Sequence, residues 1–278
     1  MHDIHVTNMR DGYVRIVEHV RLWGEEVAPR GQPTLEVQGA TIILEDPYDA
    51  LPVGVGRKLN PSIAAAEAAQ LIGGVSYPDL MVRITRNFDR FRDDGTFHGA
   101  YGPRVRAQLP AVVQRLKLDP HTRQAIVVLW DPVRDTFTEG LSDYPCTISL
   151  QYFIRDGRLE AHTHMRSNDV WWGLAYDAFQ FTQLQITVAN VLGIEAGRYY
   201  HHANSLHFYL RDTAAAQELY FIHDAPKPER VEGFRGPDMV SAMAVARRHL
   251  KGDVEANSPV HNAFYTRHLN PYVLSSAA

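Results

Sequence analysis

A mixed α+β (α/β) fold is what this chain predicts, and three observations predict it. Some segments repeat their apolar residues with a helical period and others alternate with the period of a strand. The two kinds are interleaved without a strict βαβ rhythm. No Gly-rich dinucleotide fingerprint follows any of the strand-like runs. The chain has 278 residues, of which 45% are hydrophobic and 22% charged, an ordinary globular composition with no linker, repeat or low-complexity block. A single domain over residues 1–278 is therefore expected.

The elements are justified in order. DGYVRIVEHVRLWGEEV reads as an amphipathic helix with Asp11 as its cap. TLEVQGATIILED alternates and is β-branched, so it reads as a strand or hairpin. NPSIAAAEAAQLIGG carries a cap in Asn60, a first-turn proline in Pro61 and a stop at Gly73 or Gly74. AIVVLWD is a short apolar run that reads as a buried strand. TISLQYFIRDGRLEAHTHMRS reads as two strands joined at Asp156-Gly157, a dipeptide that favours a tight turn with positive φ. AFQFTQLQITVANVLG reads as a helix stopped by Gly193, RYYHHANSLHFYLRD as a strand, and MVSAMAVARRHLKG as a late helix.

Bulk properties exclude some functions. A net charge of −4 argues against broad electrostatic binding to nucleic acid, though not against a few arginines around one phosphate. No apolar run approaches the roughly 18 residues of a membrane span, and MHDIHVTNMRDG has no hydrophobic signal core. A soluble cytoplasmic protein, with no membrane partner, is the expectation. The one cysteine, Cys146, excludes an internal disulfide and a CxxC metal site. His162 and His164 share a strand face with His201-His202 nearby, but no cysteine or acid stands at ligand spacing, so no metal is expected.

Two residues raise chemistry. A lone cysteine is usually an inert core residue. Cys146, however, follows a proline at the start of a strand, and a hairpin centred near residue 156 pairs positions summing to about 312, which brings Arg166 beside it. A guanidinium near a thiol favours the nucleophilic thiolate. Asp177 stands inside the apolar stretch GLAYDAFQF. The plainer account makes it the N-cap of the helix that follows; the other gives its carboxyl a ligand to hold.

The ordered string PC-x4-Q-x4-DG-x8-RS-x-D-x3-G-x3-D-x3-F, built here from Pro145-Cys146, Gln151, Asp156-Gly157, Arg166-Ser167, Asp169, Gly173 and Asp177, resembles the signature of the thymidylate synthase family. The match continues to His207-x-Tyr209 and includes Glu67, Tyr101-Gly102, Arg30, and Arg123 after Asp119-Pro120. It runs from about residue 13 to 212. The resemblance implies a large twisted mixed sheet flanked by helices, with one sheet face forming a homodimer interface. It implies Cys146 as the nucleophile toward C6 of a pyrimidine nucleoside monophosphate, and 5,10-methylenetetrahydrofolate as co-substrate. Arg30, Arg123, Arg166 and Ser167 would hold the 5′-phosphate, Arg123 reaching across from the partner subunit. The family usually has a second arginine beside it, where this chain has Gln124. His207 and Tyr209 match contacts to the sugar hydroxyl, Glu67 a buried acid that organises water near C4 of the base, and Tyr101 a tyrosine near the proton leaving C5. Asp169 and Gly173 match positions lining pterin and base, and Trp172, Tyr176, Phe88 and Phe91 join them around the folate.

Asp177 departs from the family pattern. Thymidylate synthases have Asn there, whose amide answers both O4 and N3–H of uracil. Cytosine reverses that edge, and a carboxyl group accepts from its amino group while sharing a proton with N3. Asn and Asp both cap helices, so capping does not account for the change. Asp at this position resembles the deoxycytidylate hydroxymethylase branch. Phenylalanines at 88 and 91 where thymidylate synthases carry tryptophan would admit water, and LNPYVLSSAA lacks the usual apolar closing tail; both point to hydroxymethyl rather than methyl as product. Relatives acting on CMP are expected to have Ala and Lys where this chain keeps Ser167 and Arg123, which favours dCMP. The alternatives are a thymidylate synthase with an unusual Asp, a CMP hydroxymethylase of nucleoside antibiotic biosynthesis, and a non-catalytic nucleotide- or RNA-binding relative.

Overall fold

Apolar alternation and helical periodicity place most elements where expected, in a computed structural model that describes residues 2–219 and 230–273. Strands are His2–Val6 (β1), Glu25–Val27 (β2), Thr34–Leu44 (β3), Ile126–Val128 (β4), Thr147–Arg155 (β5), Arg158–Met165 (β6), Asn168–Asp169 (β7) and Glu195–Tyr209 (β8). Helices are Met9–Trp23 (α1), Pro61–Gly73 (α2), Pro78–Ile84 (α3), Tyr101–Val105 (α4), Gln108–Leu118 (α5), Leu174–Leu192 (α6), Thr213–Ala216 (α7), Met239–Lys251 (α8) and Ala263–Val273 (α9). The strands form one sheet in the order β1-β3-β8-β6-β5-β4, with β2 on β3 and β7 on β8. The β1–β3, β6–β8 and β7–β8 pairs are parallel and the rest antiparallel, so the fold is α+β around a mixed sheet.

Helix α6 is the centre of the core, buried along nearly its whole length and packed on α2. It is rich in glutamine: Gln185 Nε2 donates to the carbonyls of Leu159, Gly197 and Arg198, tying the helix to the sheet, while Gln185 Oε1 is buried without a hydrogen-bond partner among the described residues. The alanines of α2 let its backbone lie close to α6. On the opposite sheet face a half-buried row of rings stacks across β6 and β8, with His162 against Tyr200 at 4.1 Å and His164 against His202 at 4.5 Å.

Several expectations are corrected. Helix α1 begins before Asp11: Asn8 is its cap, accepting from the Asp11 amide, while Asp11 accepts from Asn8 Nδ2. The helix ends at Trp23, and Glu25–Val27 forms β2 on β3 instead of continuing it. TLEVQGATIILED is a strand, not a hairpin. AIVVLWD contributes only β4, at the edge of the sheet among the described residues, whose alternation buries Val127 on one face and leaves Ile126 and Val128 43% and 50% exposed on the other. Helix α6 begins at Leu174 after Gly173, so Asp177 lies within its first turn and is not its N-cap. Of LNPYVLSSAA, Leu269–Val273 close α9, and residues 274–278 lie outside the described residues.

Asn60 and Gly74 bound α2 and Gly193 ends α6, as the sequence suggests. The Asp156-Gly157 turn is also as expected, with φ of 49° and 72° that only such residues adopt readily. From this turn the β5–β6 ladder runs with partners summing to 313, as in Ser149–His164, until a bulge at Ile148 changes the sum to 312 at Thr147–Met165. Among the described residues no helix is long and apolar enough to cross a membrane.

Candidate active site

The bulge delivers Arg166 opposite Cys146: the Arg166 amide donates to the Cys146 carbonyl at 2.9 Å, and its Nη2 lies 3.8 Å from Sγ. The guanidinium is pinned by donating to the carbonyls of Pro145 and Tyr144 and lies over the Trp130 ring. Cys146 opens into a pocket of about 220 Å³ between α2, α4 and α6, whose wall also includes Glu67, Tyr101, Asp177 and Gln180. Phe88, Phe91 and Phe97 form its apolar side, the Phe88 ring lying 6.2 Å from Phe91 and 6.1 Å from Phe97 between centroids.

The ionisable side chains of this pocket are half-buried, with little water around their charged ends. Burial pushes the Cys146 thiol up to about 11; Arg166 and Arg30 oppose the shift while Asp177 and Asp143 add to it. Burial pushes Asp177 up to about 7, against the two amides that donate to it. Burial, with Asp177 nearby, pushes Glu67 up to about 8. Burial also lifts Tyr101 well above the ordinary phenol value, keeping its hydroxyl protonated.

Asp177 does have something to hold and something that holds it. Its Oδ2 accepts from Asn168 Nδ2 at 2.7 Å, and its Oδ1 from Gln180 Nε2 at 2.9 Å. Asn168 Oδ1 in turn faces His201 Nε2 at 3.0 Å, and His201 Nδ1 faces the Tyr199 hydroxyl at 2.9 Å. Sequence reasoning missed Asn168, Gln180, His201 and Phe97. Asn168 occupied a variable position of the motif, and only the spacing of Gln180, three residues after Asp177 on a helix, could have signalled it.

Arg30 lies in an exposed turn at φ 53°, beside Gly31, close enough to act on Cys146 and His207 electrostatically. Ser167 is half-buried next to Arg166. Arg123 does not join the pocket of its own chain: it is exposed and lines a separate surface hollow with Arg115 and Gln124. Gln124 is engaged there, accepting from Arg115 at 2.7 Å.

The β7–β8 pairing sets Asp169 opposite His207, and the Tyr209 ring stands edge-on to His207 at 5.2 Å. Burial holds the Asp169 carboxyl up and the His207 imidazole down, each toward its neutral form. Asp169 Oδ1 accepts from the Trp171 amide. His207 Nδ1 is buried without a hydrogen-bond partner among the described residues. Trp172 is 51% exposed and its indole donates to Asp212. The Tyr176 hydroxyl accepts from the amide of Asn60, the cap of α2. Gly173 is a tight approach: a Cβ there would lie 3.0 Å from Asn168 Nδ2 and 3.1 Å from Asp177 Oδ2. Among the described residues no cluster of three or more His, Cys, Asp or Glu could hold a metal.

Residues 11–229 match the family model described as Thymidylate synthase. The chain is 31% identical over 252 residues to the deoxyuridylate hydroxymethyltransferase of Bacillus phage SP01, covering 81% of this chain and 66% of that protein. It is 35% identical over 162 residues to the deoxyuridylate hydroxymethyltransferase of Pseudomonas phage M6, covering 55% and 46%. It is 30% identical over 163 residues to the thymidylate synthase of Bacillus licheniformis, covering 54% and 56%. The chain thus spans from under half to about two thirds of the length of these relatives. The two hydroxymethyltransferases are named for deoxyuridylate, so the cytidylate branch expected from Asp177 has no support from them. By the match over most of its length, the chain belongs to the thymidylate synthase family.

Proposed function

We propose that this chain, acting as one catalytic domain, transfers a one-carbon unit to C5 of a cytidine monophosphate nucleotide and hydrates it to a hydroxymethyl group, with dCMP preferred over CMP. The observation that carries this reading is the Asp177 carboxyl, which lines the Cys146 pocket with one amide donor on each oxygen. Both protein partners donate, so a proton on Asp177 is directed into the pocket. A carboxylic acid there offers a donor to cytosine N3 and an acceptor to its amino group.

The residues present fit 5,10-methylenetetrahydrofolate as co-substrate. Three phenylalanines supply a face for a pterin, and Gly173 leaves bare a place that a side chain would fill. When bound, the folate supplies a one-carbon unit at the oxidation level of formaldehyde. Cys146, as thiolate, adds to C6 of the nucleotide. The C5–C6 electron pair moves toward C4, N3 gains charge, and Asp177 gives N3 its proton, leaving C5 nucleophilic. Tyr101 stands in the same pocket for the proton that later leaves C5, and Glu67 orders the water that adds to the exocyclic carbon. Arg30, Arg166 and Ser167 bind the phosphate, with Arg123 donated by the second subunit of a homodimer formed through the sheet face of His162 and Tyr200. The exposure of Arg123 away from its own pocket supports that arrangement. His207, with its free Nδ1, and Tyr209 bind the sugar. Asp169, Trp172 and Tyr176 line the folate side.

A second reading has its own observation. A protonated Asp177 can also donate to uracil O4 and accept from N3–H, as an amide does, and two relatives are named for deoxyuridylate. That reading is 5-hydroxymethylation of dUMP. It differs after thiolate addition: the uracil adduct gathers negative charge on O4, facing an acid that must keep its proton. Mass spectrometry of the products from dCMP, CMP and dUMP with the same folate decides between them. A hydroxymethylated product from dUMP and none from dCMP overturns the first reading.

A further inference from the structure

We propose that Asn168 is a specificity-determining positioning residue: its amide, turned by a buried Tyr199–His201 pair, aims a donor at Asp177 and so controls where the base-reading carboxyl points and when it holds its proton. The inference rests on the reading of Asp177 as the group that meets the base.

The direction of every bond in this chain follows from one constraint. Asn168 has an amide nitrogen on one side and an oxygen on the other, and its two neighbours are 2.7 Å and 3.0 Å away. With Nδ2 donating to Asp177, Oδ1 must receive a proton from His201 Nε2. His201 is buried, and burial holds it neutral, down to about 3. A neutral imidazole protonated at Nε2 has a bare Nδ1, which accepts from the Tyr199 hydroxyl. Tyr199 cannot supply charge, because burial lifts its phenol well above the ordinary value. The chain is therefore one-way and uncharged, and it ends in a donor at Asp177 Oδ2. Turning the Asn168 amide over would set oxygen against oxygen at 2.7 Å unless Asp177 gave its proton to the protein.

Gln180 completes the arrangement from the helix side, one turn after Asp177. Its amide has no such anchor and serves as the adjustable partner. Asn168 is the fixed one, held in β7 opposite Leu206 of β8 and closed over by Gly173, where a Cβ would touch its Nδ2 at 3.0 Å. The ionisable groups that face Asp177 are Glu67 from α2, Tyr101 from α4, Cys146 at the start of β5, Asp169 from β7 and Tyr199 from β8. Glu67 is pushed up to about 8 and the Asp169 carboxyl is also held up, so both must be separated from Asp177.

The test uses the full chain and whichever nucleotide it turns over, measuring kcat/KM from pH 5.5 to 9 for wild type, Asn168→Ala and His201→Phe. Cys146 reacts as thiolate and its thiol is pushed up to about 11, so activity rises with pH until Asp177 begins to lose its proton near 7, and then levels off. Asn168→Ala removes a donor that favours the charged form, so the end of this rising limb moves upward by about one pH unit, with an approximately tenfold loss at pH 6. His201→Phe frees the Asn168 amide and moves the limb the same way by less. In an Asp177→Asn background neither change moves any limb, which separates this effect from the titration of Glu67 and Asp169. A limb that stays in place in a folded, nucleotide-binding Asn168→Ala protein overturns the proposal, as does an equal loss in the Asp177→Asn background. Should Asn168→Ala not fold, His201→Phe alone decides by the same criterion. Unchanged base preference in Asp177→Asn refutes the base-reading role while the limb shift still reports on the relay.

Discussion

Replacing Asp177 by Asn exchanges one oxygen for an NH2 and changes nothing in size. In the structure the two neighbours of Asp177 are both donors, so the new NH2 must face one of them. Asn168 cannot turn, being fixed by His201, whereas Gln180 can present its oxygen instead. The new side chain therefore sets its carbonyl toward Asn168 and its NH2 toward Gln180. Facing the base, it keeps a donor permanently and loses the transferable proton. Cytosine then has no acid for N3, and uracil gains a donor for O4 that never ionises. A mispaired buried polar group costs about 1–3 kcal/mol, and two contacts change sign, so the cytosine-to-uracil preference should move by about 10²- to 10⁴-fold toward uracil. The assay is tritium release from 5-tritiated dCMP and dUMP in the presence of methylenetetrahydrofolate, with both kcat/KM values measured on one preparation. A ratio within threefold of wild type would refute the reasoning, since it would mean that the carboxyl serves the helix and not the base.

Other outcomes follow from the same geometry. Cys146→Ser should abolish turnover while nucleotide binding by calorimetry stays within a few-fold, because the substituted atom contributes a covalent bond and little to recognition. An Arg123→Ala subunit mixed with a Cys146→Ser subunit should regain about a quarter of wild-type activity, since one site of each mixed dimer keeps both groups; no recovery on mixing would refute the crossing of Arg123. Asp177 and Glu67 both have native pKa values raised above their unfolded values, to about 7 and about 8, so the native state binds extra protons and the stability they contribute declines as pH rises from about 4 to about 8. Glu67→Gln should accordingly raise the Tm at pH 8.5 by at least about 2 °C and leave it unchanged near pH 3.5; a rise at both pH values would point to packing instead. Gly173→Ala should lower kcat/KM by tenfold or more, because its Cβ would press on both Asn168 and Asp177.

Much of this was legible in the sequence where local chemistry decides the outcome. Asn60-Pro61 announces the start of α2 and Asp156-Gly157 the turn, and a hairpin about that turn brings Cys146 near Arg166, although their direct meeting needs the bulge at Ile148 that the sequence did not announce. What was hidden depends on tertiary context. Helix α6 was expected to begin after Asp177, because Asp is a favoured cap; it begins at Leu174 because Tyr176 and Asp177 bond back to the Gly173 carbonyl, and the carboxyl is drawn sideways to Asn168 and Gln180. Asp11 looked like a cap for the same reason, and Asn8 took the role from outside the periodic stretch. His201 and His202 are neighbours in sequence and lie on opposite sheet faces, one in the core relay and one in the ring stack, which only knowledge of both sheet surroundings could tell apart.

The surplus residue at Ile148 has a further meaning. Strand β5 has nine residues and strand β6 eight, so the two arms of the hairpin are unequal although the turn between them is symmetric. A regular ladder with that turn would seat the sulfur opposite Ser167 and leave the guanidinium one step out of phase. The mismatch in arm length is the written trace of the irregularity, and a relative with arms of equal length would have to find its thiol's cationic neighbour elsewhere.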